Sequence, residues 1–277
     1  MRSPISAWPI SKCRQRPPVS GKRSGRQKPN KKREEKTLSD VLINTRGNVL
    51  EITLNRPDKG NALTPEMAQA ITAALKSLSP ETRVVLMNAK GGDFCTGRSA
   101  AMPAAGSRAT ALDLRTAISD PVLDFYEVLR EIPVPFITAI RGRAAGVGCA
   151  IAALADVAIA AESATFQVPE MNHDIAPTLV LNALADRVSR ATLARMVLTR
   201  DVIPATEAKT LGIVGITVAD AGIDAEVERV VGQLEKNSVP TVRGIKAFLS
   251  MSPETSFASR KELAALINCV ATAEKFR

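Results

Sequence analysis

Leu38–Thr45 and Asn48–Leu54 alternate apolar and polar residues on either side of Arg46-Gly47, which predicts a β-hairpin. The period then changes. After the loop NRPDKGNALTPEM, Thr64 is placed to cap a helix with Pro65 at its first position, and helical spacing runs to about Leu78. RVVLMNA (Arg83–Ala89) is a short apolar run of strand type, followed by the glycine loop KGGDFCTGRS. Residues 100–110, rich in Ala, Gly and Ser, read as a mobile loop, and a helix follows from about Leu112 to Arg130. VPFITAI (Val134–Ile140) is another strand, entered through Pro133 and Pro135. In ITAIRGRAAGVGCAIAALADVAIAA (Ile137–Ala161) the apolar run breaks at Gly142, Gly146 and Gly148, then resumes as an alanine-rich helix and the strand DVAIAA. After Pro177 the pattern is helical. A short helix in PATEAKTLG stops at Gly212, IVGITV is a last short strand, and helices fill the rest. The sum is α/β in the first two thirds and helical at the end, as one domain with a helical C-terminal extension.

Charge divides the chain unevenly. Twelve of its 37 Lys and Arg, but two of its 28 Asp and Glu, fall in residues 1–36, so this segment carries about +10 and the remainder about −1. The globular part is therefore not a basic nucleic-acid-binding body. The segment also holds five prolines and little apolar periodicity, and it reads as a disordered tail over residues 1–37. Three readings of it compete: an extension without a fold, an organelle transit peptide, or a contact for nucleic acid or a membrane surface. The first goes with a cytoplasmic protein and the second with the mitochondrial matrix.

Other classes are disfavoured. No apolar run approaches the roughly 20 residues of a membrane span; the longest, Cys149–Ala161, is interrupted by Asp156. The four cysteines form no C-x-x-C pair, which argues against a disulfide framework or a zinc site and for a reducing compartment. Any Ser–His or Cys–His hydrolase would have to use the only histidine, His173.

The two glycine loops each follow a strand and can present backbone N–H groups, the second at the start of a helix. GVGCAI lacks the third glycine of a dinucleotide fingerprint, and no Walker lysine follows. Two donors from separate loops suit the oxygen of a polarised carbonyl, an oxyanion hole; the other reading is tight helix–strand packing.

LNRPDKGNAL, GGDFCTGRS, PVPFITAIRGRAAGVGCAIAALADVAIAAESATFQVPE and VLTRDVIPATEAKTLGIV stand in an order and spacing that resemble the crotonase superfamily of enoyl-CoA hydratases and isomerases. The resemblance covers about residues 38–272. It implies a ββα spiral core over residues 38–200 and a helical trimerisation region over 201–277, assembled as a homotrimer or a hexamer of two trimers. It implies an acyl-CoA thioester substrate and no metal or redox cofactor; the charge and hydropathy patterns add the expectation of no membrane partner and of no nucleic-acid partner apart from the tail.

Carried over residue by residue, the resemblance puts the oxyanion donors at the backbone of Arg98, after Gly97, and of Val147, after Gly146. Arg98-Ser99 departs from the usual Ala-Asp, and Val147 stands in place of a common glycine, which requires a negative φ there. Hydratases of the family use two glutamates. The first position is Ala150 here; the second is Glu170, in FQVPE. A single base suffices to move a proton between C2 and C4, so the pattern resembles the monofunctional isomerases more than the two-glutamate hydratases. Thr178, in place of a glycine that helps position water, points the same way. Without the resemblance, Glu170 reads as an exposed loop carboxylate. His173 is a candidate pocket residue or second acid–base group, and Asp156 reads as structural. The CoA moiety is expected around Lys59 to Leu63, including Ala62, and at Thr96 and Gly97, with Lys59 as a phosphate partner. The chain stops before the family's nucleotide-capping helix, where Lys275 and Arg277 are possible substitutes. The competing class is a catalytically degenerate protein of the same fold that binds acyl-CoA or RNA.

Overall fold

The structure, a computed structural model, describes residues 39–277 except 100–102, 105, 274, 275 and 277. The basic tail over residues 1–37, the candidate nucleotide partners Lys275 and Arg277, and part of the loop read as mobile lie outside the described residues.

The alternating segments form the hairpin β1 (Val41–Arg46) and β2 (Val49–Leu54), which turns at Gly47 with φ +57°. Helix α1 (Pro65–Lys76) begins as its sequence predicts: Thr64 is extended and its hydroxyl accepts the Met67 N–H, while Met67, Ile71 and Leu75 form the buried stripe. β3 (Val84–Ala89) follows. The single helix expected over Leu112–Arg130 is instead α2 (Ala111–Leu114), a wide π turn (Arg115–Ser119) and α3 (Asp120–Arg130). Pro121 has no N–H to give a regular turn, and the Asp120 N–H reaches back to Arg115 O.

Next come β4 (Phe136–Ile140), β5 (Arg143–Ala145), α4 (Val147–Leu154), β6 (Val157–Ala161) and β7 (Thr165–Gln167). The remainder is α5 (Thr178–Leu184), α6 (Arg190–Thr199), β8 (Ile203–Pro204), α7 (Ala205–Leu211), β9 (Ile216–Val218), α8 (Ile223–Leu234), α9 (Val239–Met251) and α10 (Phe257–Ala273). Gly212 ends α7 in the left-handed conformation, φ +87°.

Six strands form one sheet in the order β1-β2-β3-β4-β6-β9, parallel after the first pair; β5, β7 and β8 form a small second sheet. The ββα unit repeats as β4–β5–α4 and β6–β7–α5, where each first strand enters the large sheet and each second strand the small one. Side chains alternate between two apolar clusters. Ile52, Met87, Phe136 and Ala160 face the cluster that includes residues of α1, α3 and α4; Val84, Leu86, Ile137 and Ile159 face the cluster completed by α8. A parallel sheet covered on both faces reads as continuous apolar runs, which is how β3, β4 and β6 appear in sequence. The sheets do not end at residue 200, because β8 and β9 belong to them; only helices and turns follow Val218.

Asp156 fastens the C-terminal helices to this core. Its carboxylate accepts the Phe136 N–H at 2.7 Å and meets Lys246 Nζ of α9 at 2.6 Å.

Candidate functional site

Three loops converge beside the start of α4 and are stitched by main-chain bonds. Cys95 N–H donates to Arg143 O (3.0 Å) and Ala145 N–H to Cys95 O (2.9 Å). Leu63 N–H donates to Gly97 O (2.9 Å) and Ser99 N–H to Leu63 O (2.8 Å). In the resulting parallel bridge Leu63 uses its own N–H and C=O, so the Arg98 main chain faces away from Leu63.

The glycines of the second loop divide between two demands. A Cβ on Gly142 would lie 1.8 Å from Gly92 O, and one on Gly148 would lie 2.2 Å from Cys95 O; both serve close backbone packing. Gly146 differs. It caps α4 with φ +53° and faces a carboxylate: its added Cβ would lie 2.6 Å from Glu170 Oε1 and 3.7 Å from Gly97 Cα. Val147 is the first residue of α4, where an N–H has no acceptor within the helix. It is absent from the positive-φ positions, so its side chain meets the backbone condition set by the sequence.

Glu170 opens the short 3-10 turn Glu170–His173 and is half-buried. Its Oε2 is buried with no hydrogen-bond partner, and burial raises its carboxyl above the ordinary 4.5. Tyr126 of α3 and Cys149 of α4 are buried within electrostatic reach of it. Burial and then Glu170 drive the tyrosine hydroxyl far up, and the same two causes push the Cys149 thiol up to about 12. Both groups therefore stay protonated around a carboxylate that can take or give a proton. Ala150, one turn into α4 and fully buried, contributes no second carboxylate.

The other residues singled out by sequence fall in two places. Lys59 is exposed at the end of a 3-10 turn, and its carbonyl accepts the Ala62 N–H. Thr96 bonds Gly60 O through both its N–H and its hydroxyl, each 3.0 Å, and Gly97 follows at φ +133°. These residues lie on joined loops. His173, by contrast, is exposed at the far end of the Glu170 turn and lines no part of the cavity described below. Burial lowers the pKa of Arg98 from its ordinary value.

Two contributors escape a reading from sequence. Fully buried Asn61, at φ +53°, accepts the Arg56 N–H and donates to Lys90 O (2.8 Å) and Asp93 O (2.7 Å), joining the first two loops. Its signal was an Asn flanked by Gly60 in a turn, a residue type that tolerates the left-handed region. Tyr126, the only tyrosine, sits in a stripe with Phe125 and Leu129 that reads as core.

A cavity of about 550 Å³ adjoins Leu63, Arg98 and Val147 and lies between α1 and α3. It is within the size range of small-molecule sites.

Comparison with known proteins identifies the family and the fold. The family model described as enoyl-CoA hydratase/isomerase matches residues 44–267. Enoyl-CoA hydratase EchA19 of Mycobacterium tuberculosis is 31% identical over 188 residues, which cover 65% of this chain and 69% of that protein. AtuE of Pseudomonas aeruginosa has a similar structure, with a TM-score of 0.79 and 27% identity over 85% of this chain and 92% of that one. A Thermobifida fusca chain solved in complex with CoA gives a TM-score of 0.75 and 25% identity over 85% and 93% of the two chains.

Proposed function

The chain belongs to the enoyl-CoA hydratase/isomerase family, and from that premise we propose that it moves the double bond of an enoyl-CoA thioester between the C3 and C2 positions. The observation that carries this reading is Glu170: one half-buried carboxylate whose buried Oε2 has no hydrogen-bond partner, set against Gly146, with Ala150 where a second acid would stand.

In the proposed reaction the thioester oxygen lies between the backbone N–H groups of Arg98 and Val147. Glu170 takes a proton from C2, and the electron pair enters the thioester as an enolate. The same carboxyl then returns the proton to C4, and the double bond closes between C2 and C3. Charge develops on the oxygen beside the positive end of α4, where each such donor contributes about 3–4 kcal/mol to the transition state. The raised proton affinity of Glu170 suits both halves of this shuttle. CoA binding is assigned to the loops carrying Lys59, Ala62, Thr96 and Gly97. The cycle calls for no metal or redox group, because both the proton and the electron pair return to the substrate.

Exposed apolar side chains on α9 and α10, among them Leu249, Phe257, Leu266 and Val270, support assembly into trimers or pairs of trimers. Among the described residues no helix is long and apolar enough to cross a membrane.

The test is turnover of 3-enoyl-CoA and 2-enoyl-CoA in parallel, followed by the absorbance of the conjugated thioester, with Glu170→Gln beside the parent. Absorbance gained from the 3-enoyl substrate and lost in the variant is the expected result. Loss of absorbance from the 2-enoyl substrate alone would make the enzyme a hydratase. Binding of CoA esters without turnover of either would favour the non-catalytic alternative.

A further inference from the structure

We infer that Tyr126 is the positioning residue for Glu170: its phenol donates a hydrogen bond to Oε2 of the ionised carboxylate and leaves Oε1 to face the substrate. The inference deepens the reading of Glu170 as the base and rests on it.

The two oxygens of Glu170 stand in different surroundings. Oε1 lies on the Gly146 side, where a Cβ added to the glycine would come within 2.6 Å of it. Oε2 is buried and has no hydrogen-bond partner. An ionised carboxylate there has lost the water that would solvate it, and leaving such an acceptor unpaired is costly. A base must also be held in one orientation to act on its substrate. Both demands are met by one donor behind Oε2.

Tyr126 is placed to be that donor. It is 3% exposed and shares an apolar cluster with Val147, Cys149 and Val168. It lies within electrostatic reach of Glu170, Cys149, Cys95 and Arg98. Those groups come from separate segments that meet at the start of α4: a Cβ on Gly148 would lie 2.2 Å from Cys95 O, and one on Gly146 would lie 3.7 Å from Gly97 Cα as well as against Glu170. A side chain in reach of them all points at this junction. Its rivals there are weaker. Cys95 Sγ is already directed at Gly97 O, at 3.4 Å, and Cys149 offers only a thiol. The Arg98 cation acts on the tyrosine and polarises its O–H, while burial and Glu170 keep that proton in place. Catalytic hydrogen bonds tighten as charge appears on the acceptor, so ionisation of Glu170 draws the phenol onto Oε2. Burial still leaves the carboxyl above its ordinary value, and the phenol limits the rise.

Tyr126 is the only tyrosine of the chain, so replacing tyrosine throughout by 3-fluorotyrosine alters this position alone. Infrared spectra of the free protein, differenced against Glu170→Gln, give the titration midpoint of the Glu170 carboxyl without any substrate. Tyr126→Phe keeps the ring and deletes the hydroxyl. Its midpoint is expected to rise by about one pH unit, because a neutral donor favours the ionised carboxylate and a bond to a charged group is worth about that much. The fluorinated phenol is a stronger donor, so its midpoint is expected to fall. The acid limb of kcat/KM on 3-enoyl-CoA should move with the midpoint in both proteins. In Tyr126→Phe, kcat should drop about tenfold to a hundredfold with KM little changed. A role in packing alone would lower stability and leave the midpoint where it is.

An unmoved midpoint in folded Tyr126→Phe would overturn the inference. So would a rise in Cys149→Ala with none in Tyr126→Phe, which would give the bond to the thiol. If Tyr126→Phe does not fold, the fluorinated protein decides, and a midpoint that fails to fall there overturns the inference. Opposite shifts in the two proteins, with no turnover of either enoyl-CoA, would leave Tyr126 holding Glu170 and refute the catalytic reading instead.

Discussion

Gly146 and Glu170 are fitted to each other: a methyl group on the glycine would sit 2.6 Å from the carboxylate oxygen Oε1. The glycine also holds φ +53°, which places the first amide of α4 beside the acid. Gly146→Ala therefore meets two penalties, a strained backbone and a displaced base. Activity on enoyl-CoA is expected to fall at least about 100-fold, the scale of an ångström misplacement. Gly92→Ala, in open space with no positive φ, is expected to retain parent activity and serves as the control in the same steady-state assay.

Glu170→Gln should reduce kcat by about 10²–10⁴-fold, the usual worth of a positioned acid–base group. Its effect on stability should have the opposite sign. The folded state raises the carboxyl pKa above 4.5, so between these two values the folded chain binds more protons than the unfolded one, and stability falls as pH rises through that window. The glutamine variant removes this loss. Thermal unfolding at neutral pH is expected to show an equal or higher midpoint for Glu170→Gln, and a flatter dependence on pH from acid to neutral. A clearly lower midpoint would mean that the ionised carboxylate is held by partners instead of merely buried.

Ala150→Glu restores a second carboxylate one turn into α4. If the missing acid is what limits water addition, hydration of 2-enoyl-CoA should increase at least tenfold, read as loss of thioester absorbance. The variant should also unfold at a lower temperature, because position 150 is fully buried and like charges would share the site with Glu170. Parent-level hydration in a folded variant would show that side chain 150 does not reach the reacting centre.

The Lys246–Asp156 pair predicts a difference between its two partners. Asp156→Ala strands both a part-buried ammonium and the Phe136 N–H, whereas Lys246→Met leaves the aspartate its backbone donor. Urea unfolding should give a loss of about 3 kcal/mol for the former and a smaller loss for the latter. Equal losses would place the stabilising effect in the ion pair alone.

How much of this was legible in advance depends on the range of the signal. β3, β4 and β6 announce themselves as apolar runs, and α1 as a Thr-Pro start followed by a periodic stripe, because those signals are local. β5, β7 and β8 are two or three residues long, too short for any period, and exist only because they pair with one another. The π turn before Asp120 leaves its mark only as Pro121 within a helical pattern. In the site, the position of Glu170 was readable by motif. Its proximity to Tyr126, Cys149 and Gly146 was not, since it depends on α3, α4 and the 3-10 turn meeting in space. Equally hidden was the split between Gly142 and Gly148, which serve packing, and Gly146, which faces the acid.

The stitching of the three loops bears on how the protein opens. Leu63, Cys95, Ser99 and Ala145 donate the bonds that tie these segments together, and of the three only the one ending in β5 belongs to a sheet. None can lift without freeing its neighbours. Their four amides should therefore exchange with deuterium at one common rate, as a single cooperative unit.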